Sequence, residues 1–209
     1  MDAADLVAMH AILDLRTVAQ QTPEMCLAAV TYNGHALAYV REQTPEICLA
    51  AVQQTGFAIE HVKPHCQTFE VCMTAIDYNP WCLRYLANRT PELCMAAVQK
   101  DGYVLQFVPE QTRELCLAAI EQNAWSILYI DGPTTEMYLA AVRRNWRVLS
   151  LIPGERQTCA MVQSAYRQNK EALKFVHDRL KLAPLLSAFS NAPAWNLHHN
   201  PFLHIVEWM

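Results

Sequence analysis

Eight cysteines, a recurrent glutamate and a histidine-bearing C-terminal stretch are the residues of this 209-residue chain whose types could do covalent or acid–base chemistry. A thiolate nucleophile, a disulfide or a thiolate metal site needs a partner at a defined spacing, and no Cys-x-x-Cys pair occurs. Cys26, Cys48, Cys72, Cys94 and Cys116 instead return at one register of a repeating motif, continued by Tyr138 and Val162. A position that takes Cys, Tyr and Val is a packing position, where a free cysteine acts as a small hydrophobe. Cys66, Cys82 and Cys159 show no ligand spacing either. Glu24, Glu46, Glu70, Glu92, Glu114 and Glu136 could supply paired carboxylates. Each, however, lies two residues after a threonine, at helix starts where negative charge meets the positive helix end. His198, His199 and His204 are poorly spaced to converge on one ion. No G-x-S-x-G, H-E-x-x-H or Walker glycine loop is present. The sequence therefore assigns no catalytic residue, no metal ligand and no cofactor.

Two further sets of side chains could bind rather than react. Phe57/His61, Trp81/Tyr85, Tyr103/Phe107 and Trp125/Tyr129 are spaced i,i+4. On an α-helix, at about 100° per residue, each pair shares a face nearly opposite Leu105/Val108 and their equivalents. That face either packs between layers or presents Phe57, Trp81, Tyr103 and Trp125 as an exposed stripe for a peptide. The second set is basic. Residues 1–140 hold seven Lys+Arg against sixteen Asp+Glu, and residues 141–181 hold nine against three, within a net charge of −4. Arg143, Arg144, Arg147, Arg167, Lys170 and Lys174 form the expected patch for an acidic or phosphate-bearing protein partner; the bland alternative is a solvated end of the molecule. The acidic majority argues against nucleic acid.

The elements that must position these groups come from a repeat. Gln21-Thr-Pro-Glu-Met-Cys-Leu-Ala-Ala-Val30 returns at Gln43–Val52, Gln67–Ile76, Arg89–Val98 and Gln111–Ile120, with worn copies at Thr134–Val142 and Thr158–Tyr166. The lead threonines are 22, 24, 22, 22, 22 and 24 residues apart. Each unit reads as two short helices. Threonine is a good N-cap and proline suits the first helical position. Asn33-Gly34, Asp101-Gly102, Asn79, Asn123 and Asn169 mark the stop. Helices this short need neighbours, so the fold class is all-α, a right-handed α-solenoid of short two-helix repeats with a C-terminal capping segment. Residues 1–18 are a degenerate capping half-repeat, 19–176 hold seven tandem repeats, and 177–209 form the cap. Ala29, Ala51, Ala75, Ala97, Ala119, Ala141 and Ala165 mark the closest helix approach.

The motif Gln-Thr-Pro-Glu-[Ile/Leu/Met]-Cys-Leu-Ala-Ala-Val, followed by Asn-Gly and an aromatic-aliphatic helix, closely resembles the bacterial repeat family called domain of unknown function 4116. The resemblance implies a bacterial helical repeat protein, often from host-associated organisms, and transfers no active-site residue. Phe69, Arg113 and Thr135 depart from the family's proline, so those units lose the preorganised helix start.

Composition agrees with a stacked repeat. A hydrophobic fraction of 53% with 17% charged residues excludes a disordered chain, and five glycines argue against a hairpin-rich β fold. Apolar runs stop far short of the ~20 residues of a membrane span. The acidic start Met1-Asp2-Ala3-Ala4-Asp5 shows no secretory leader. The abundance of reduced thiol points to the bacterial cytoplasm, or to a host cytosol reached without a signal peptide. The expected function is a non-catalytic scaffold that binds a partner protein, as a bacterial effector or effector-associated protein would. The alternatives are an enzyme of unrecognised class, with its site between the basic repeats and the tail, and a structural spacer. No membrane or nucleic-acid partner is expected, and the oligomeric state is left open.

Overall fold

Threonine decides where each helix begins. In the computed structural model, which describes residues 15–181, seven ten-residue α-helices each start one residue after a lead threonine. They are α1 (Pro23–Tyr32), α2 (Pro45–Gln54), α3 (Phe69–Tyr78), α4 (Pro91–Lys100), α5 (Arg113–Gln122), α6 (Thr135–Arg144) and α7 (Cys159–Gln168). Each threonine Oγ1 accepts the N–H three residues on, as Thr68 does from Val71 at 3.3 Å. Helices α3, α5 and α6 begin in register although Phe69, Arg113 and Thr135 replace proline. The hydroxyl cap places the helix start, and proline only stiffens it. No strand occurs among the described residues.

The second element of each unit is a six-residue 3-10 helix. These are Gly34–Tyr39, Gly56–His61, Pro80–Tyr85, Gly102–Phe107, Ala124–Tyr129, Trp146–Leu151 and Lys170–Phe175. Buried residues recur every third position, as in Gly34, Leu37 and Val40 or Gly102, Leu105 and Val108. That spacing fits three residues per turn. Helices α1, α3, α4, α5 and α7 stop at the expected Asn33, Asn79, Asp101, Asn123 and Asn169, but in extended rather than left-handed backbone. Asn33, at φ −142°, does both jobs: its N–H donates to Ala29 O at 2.9 Å and ends α1, while its side chain accepts from His35 N at 3.0 Å and caps the next helix. Gly34 and Gly102 serve close approach instead. A Cβ on Gly34 would lie 2.4 Å from the Ala51 carbonyl oxygen, and one on Gly102 2.5 Å from that of Ala119. The alanine column itself is fully buried.

The two 24-residue intervals have a visible cause. Each holds one extra 3-10 turn, Pro64–Cys66 in one and Gly154–Arg156 in the other. Among the described residues, 15–133 form one compact unit and 134–181 a second. In the first, α1 to α5 and their 3-10 helices pack consecutively as an all-α repeat solenoid. Its core is the column Cys26, Cys48, Cys72, Cys94 and Cys116 with the alanines and the valine or isoleucine that follows them. In the second unit, Tyr138 and Val162 hold the cysteine register and are buried too. A last short helix, α8 (Asp178–Lys181), follows. The expected half-repeat up to residue 14 and the expected cap from 182 on, with His198, His199 and His204, lie outside the described residues.

Candidate functional site

In the first unit the 3-10 helices carry a row of aromatic rings. Their pairing corrects the expected i,i+4 arrangement. At about 120° per residue in a 3-10 helix, positions four apart no longer share a face. Trp81 and Tyr103 instead meet a ring in the next repeat. Trp81 lies edge-to-face on Phe107 at 5.6 Å and 72°, and Tyr103 on Tyr129 at 5.7 Å and 85°. Such pairs are worth roughly 0.5–1.5 kcal/mol beyond the area they bury. The rings are neither sealed nor fully outward. Phe57 is 38% exposed, and Trp81, Tyr103 and Trp125 are partly buried. Trp81 Nε1 donates to Asp101 Oδ2 at 2.8 Å, while Asp101 Oδ1 accepts from Tyr103 N at 2.9 Å. One carboxylate thus ties two adjacent repeats.

A glutamine clamp fixes the register of the row. Gln43 Nε2 donates to His61 O and Gln43 Oε1 accepts from Lys63 N, both at 2.8 Å, closing its own repeat. Gln43 Nε2 also reaches Leu37 O of the preceding repeat at 3.5 Å. Gln21, Gln67 and Gln111 make the same pair of bonds, to Tyr39 and Arg41, to Tyr85 and Ala87, and to Tyr129 and Asp131. Gln157 does so in the second unit, to Phe175 and His177. Sequence reading quoted these glutamines as the motif's first letter and gave them no role. Their recurrence was the available signal.

At the start of the row the ring pair is replaced by imidazoles. His35 and His61 meet at 5.6 Å and 75°, the geometry of the aromatic pairs. His35 Nδ1 lies 3.5 Å from His61 Nε2, and Glu60 Oε1 lies 3.8 Å and 3.3 Å from these two atoms. Sequence reading missed this cluster because His35 is far from Glu60 and His61 along the chain and meets them only through the stacking of repeats.

Three of the buried thiols are held in the protonated form. Burial pushes Cys48 and Cys82 up to about 12 and Cys72 up to about 11. Cys159 alone of the eight is less than fully buried. A cavity of about 470 Å³ between the starts of α1 and α2 is lined by residues including Gln21, Pro23, Cys26, Arg41 and Ile47. The Arg41 guanidinium there already donates to the carbonyls of Ala19 and Val18 at 2.7 and 2.9 Å. In the second unit Arg143, Arg144, Arg147, Arg167, Lys170 and Lys174 are not buried. Arg147 stacks over Trp146 at 4.8 Å, and Lys174 pairs with Glu171 at 3.3 Å.

Taken with the fold, these features define a helical repeat array whose recurring residues are mostly occupied in holding repeats together. Residues 44–89, 68–112 and 90–133 each match the family model described as Domain of unknown function (DUF4116), three overlapping matches consistent with a repeat family of that name. No curated protein and no solved structure shows a match to the chain. No helix among the described residues is long and apolar enough to cross a membrane.

Proposed function

We propose that the chain is a non-catalytic scaffold that binds a partner protein along the aromatic row of its first unit. One observation carries this reading: Phe57, Trp81, Tyr103 and Trp125 hold partly exposed rings in successive repeats, and the central two, Trp81 and Tyr103, are locked by inter-repeat ring contacts, Trp81 also by a hydrogen bond to Asp101. Rigid, half-exposed aromatics lose little entropy on binding and are the commonest anchors of protein interfaces. Tyr39 and Tyr129, at 38% and 37% exposure, extend the same row.

A second surface has its own support. The solvent-accessible Arg143, Arg144, Arg147, Arg167, Lys170 and Lys174 of the second unit suit carboxylate or phosphate groups on a partner. The test is affinity capture from producing and candidate host cells, followed by binding measurements on the purified retained protein. Phe57→Ser with Trp125→Ser is expected to weaken its binding at least about tenfold, some 1.4 kcal/mol. Unchanged affinity in that variant removes the aromatic row from the interface.

A further inference from the structure

We propose that His35, Glu60 and His61 form a binding site for a divalent transition ion of the zinc class, with three protein ligands and an open fourth position. The argument begins with the donor set, whose ligand atoms all lie within 4.8 Å of one another. Two imidazole nitrogens and one carboxylate oxygen are the ligands of open, three-residue zinc sites, and imidazole selects against magnesium and calcium. The distances fit as well. Zinc ligands at about 2.0–2.1 Å in a tetrahedron stand roughly 3.3–3.4 Å from one another. The three edges here are 3.3, 3.5 and 3.8 Å, so the donors already mark out one face of such a tetrahedron.

The backbone beneath the cluster is fixed. His35 N donates to Asn33 Oδ1 at 3.0 Å, and the His61 carbonyl accepts from Gln43 Nε2 at 2.8 Å. Little chain entropy remains to be lost on binding. The repeat supplies an internal comparison. At the equivalent place Trp81/Phe107 and Tyr103/Tyr129 make the same edge-to-face contact without a pair of imidazoles. Packing at this place is therefore satisfied without imidazoles, and it does not require Glu60 beside them. Exposure is no obstacle, since the His35, Glu60 and His61 side chains are 50%, 34% and 28% exposed and leave room for a water or a partner's side chain as fourth ligand. The site is independent of the partner-binding reading.

The test uses the full chain, reduced, stripped with a chelator and titrated with Zn²⁺ alone and with Co²⁺ alone. One equivalent is expected to bind, and Co²⁺ should give tetrahedral d–d bands without the thiolate charge-transfer band that cysteine ligation adds. The variant His35→Tyr with His61→Tyr copies the Tyr103/Tyr129 pair, so it keeps the packing and removes both imidazoles. It should keep its helical circular dichroism and lose this equivalent. Glu60→Gln, a surface change, should weaken binding by more than the roughly 10–100-fold cost of losing an outer-shell partner. Should the double variant fail to fold, Glu60→Gln decides by itself. Zn²⁺ binding that survives in these variants, a charge-transfer band, or no binding by the wild type overturns the assignment. Surviving binding would place the ion on the thiols or on His198, His199 and His204.

Discussion

Cys48 and Cys82 are held as thiols up to about 12, and Cys72 up to about 11, chiefly because ionisation would leave a charge among apolar side chains. Cys66 adds to the effect at Cys48, and the carboxylate of Glu60 adds to it at Cys82. The folded chain thus holds these protons more tightly than an unfolded one, in which a thiol titrates near about pH 8.5. Their contribution to stability is complete below that pH. It is lost as pH rises through the folded values of about 11 and 12. Thermal unfolding followed by circular dichroism should give a midpoint that these thiols do not lower on the acid side of about pH 8.5 and that falls steadily above it. Cys48→Ala with Cys82→Ala should flatten that alkaline limb. An equally steep limb in the variant would assign it to other groups.

At the scale of the element, the glutamine clamp explains substitutions that look unrelated in the sequence. The clamp needs an acceptor at the lead position and an N–H twenty residues later, supplied in the first unit by Arg41, Lys63, Ala87 and Asp131. Where the lead residue is Arg89, the position twenty residues on is Pro109, and where it is Pro133 that position is Pro153. Arginine has no side-chain acceptor and proline has no N–H, so loss of one partner coincides with loss of the other. Arg89 keeps only the backward link, donating to Leu83 O and Arg84 O at 3.0 and 2.8 Å. Arg89→Gln with Pro109→Ala should rebuild the bond that neither single change can make. In urea unfolding the double-mutant cycle should show a favourable coupling of about 0.5–1.5 kcal/mol; a coupling of zero means that the introduced amide and the restored N–H do not meet. The same contrast shows what the sequence could reveal. Threonine caps and the cysteine and alanine columns were legible because they act within one helix at a known period. The 3-10 geometry, the glutamine bonds and the His35–His61 meeting were not, because each depends on how one repeat or element lies against the next.

For the whole molecule, a net charge of −4 hides an acidic stretch through residue 140 and a basic one from 141 to 181. The basic groups fall in the second unit, whose described residues include Arg143 and Arg144 in the last turn of α6 and Arg147 just beyond. Part of their role is local, since a cation near a helix C-terminus contributes about 0.3–1 kcal/mol through the helix dipole. Charge reversal there would thus cost stability as well as binding. Neutral Arg143→Gln, Arg144→Gln and Arg147→Gln is the cleaner probe. A partner held by these guanidinium groups should be released as salt shortens the screening length from about 10 Å at 0.1 M to about 3 Å at 1 M. The triple variant should then bind more weakly at low salt and show a shallower dependence of affinity on salt. A partner seated on the aromatic row alone should bind the triple variant as well as the wild type and be nearly indifferent to salt, because burial of rings is little affected by screening. Measuring one purified partner at both ends of the salt range, against the aromatic and the arginine variants, therefore assigns its contact to one unit or the other.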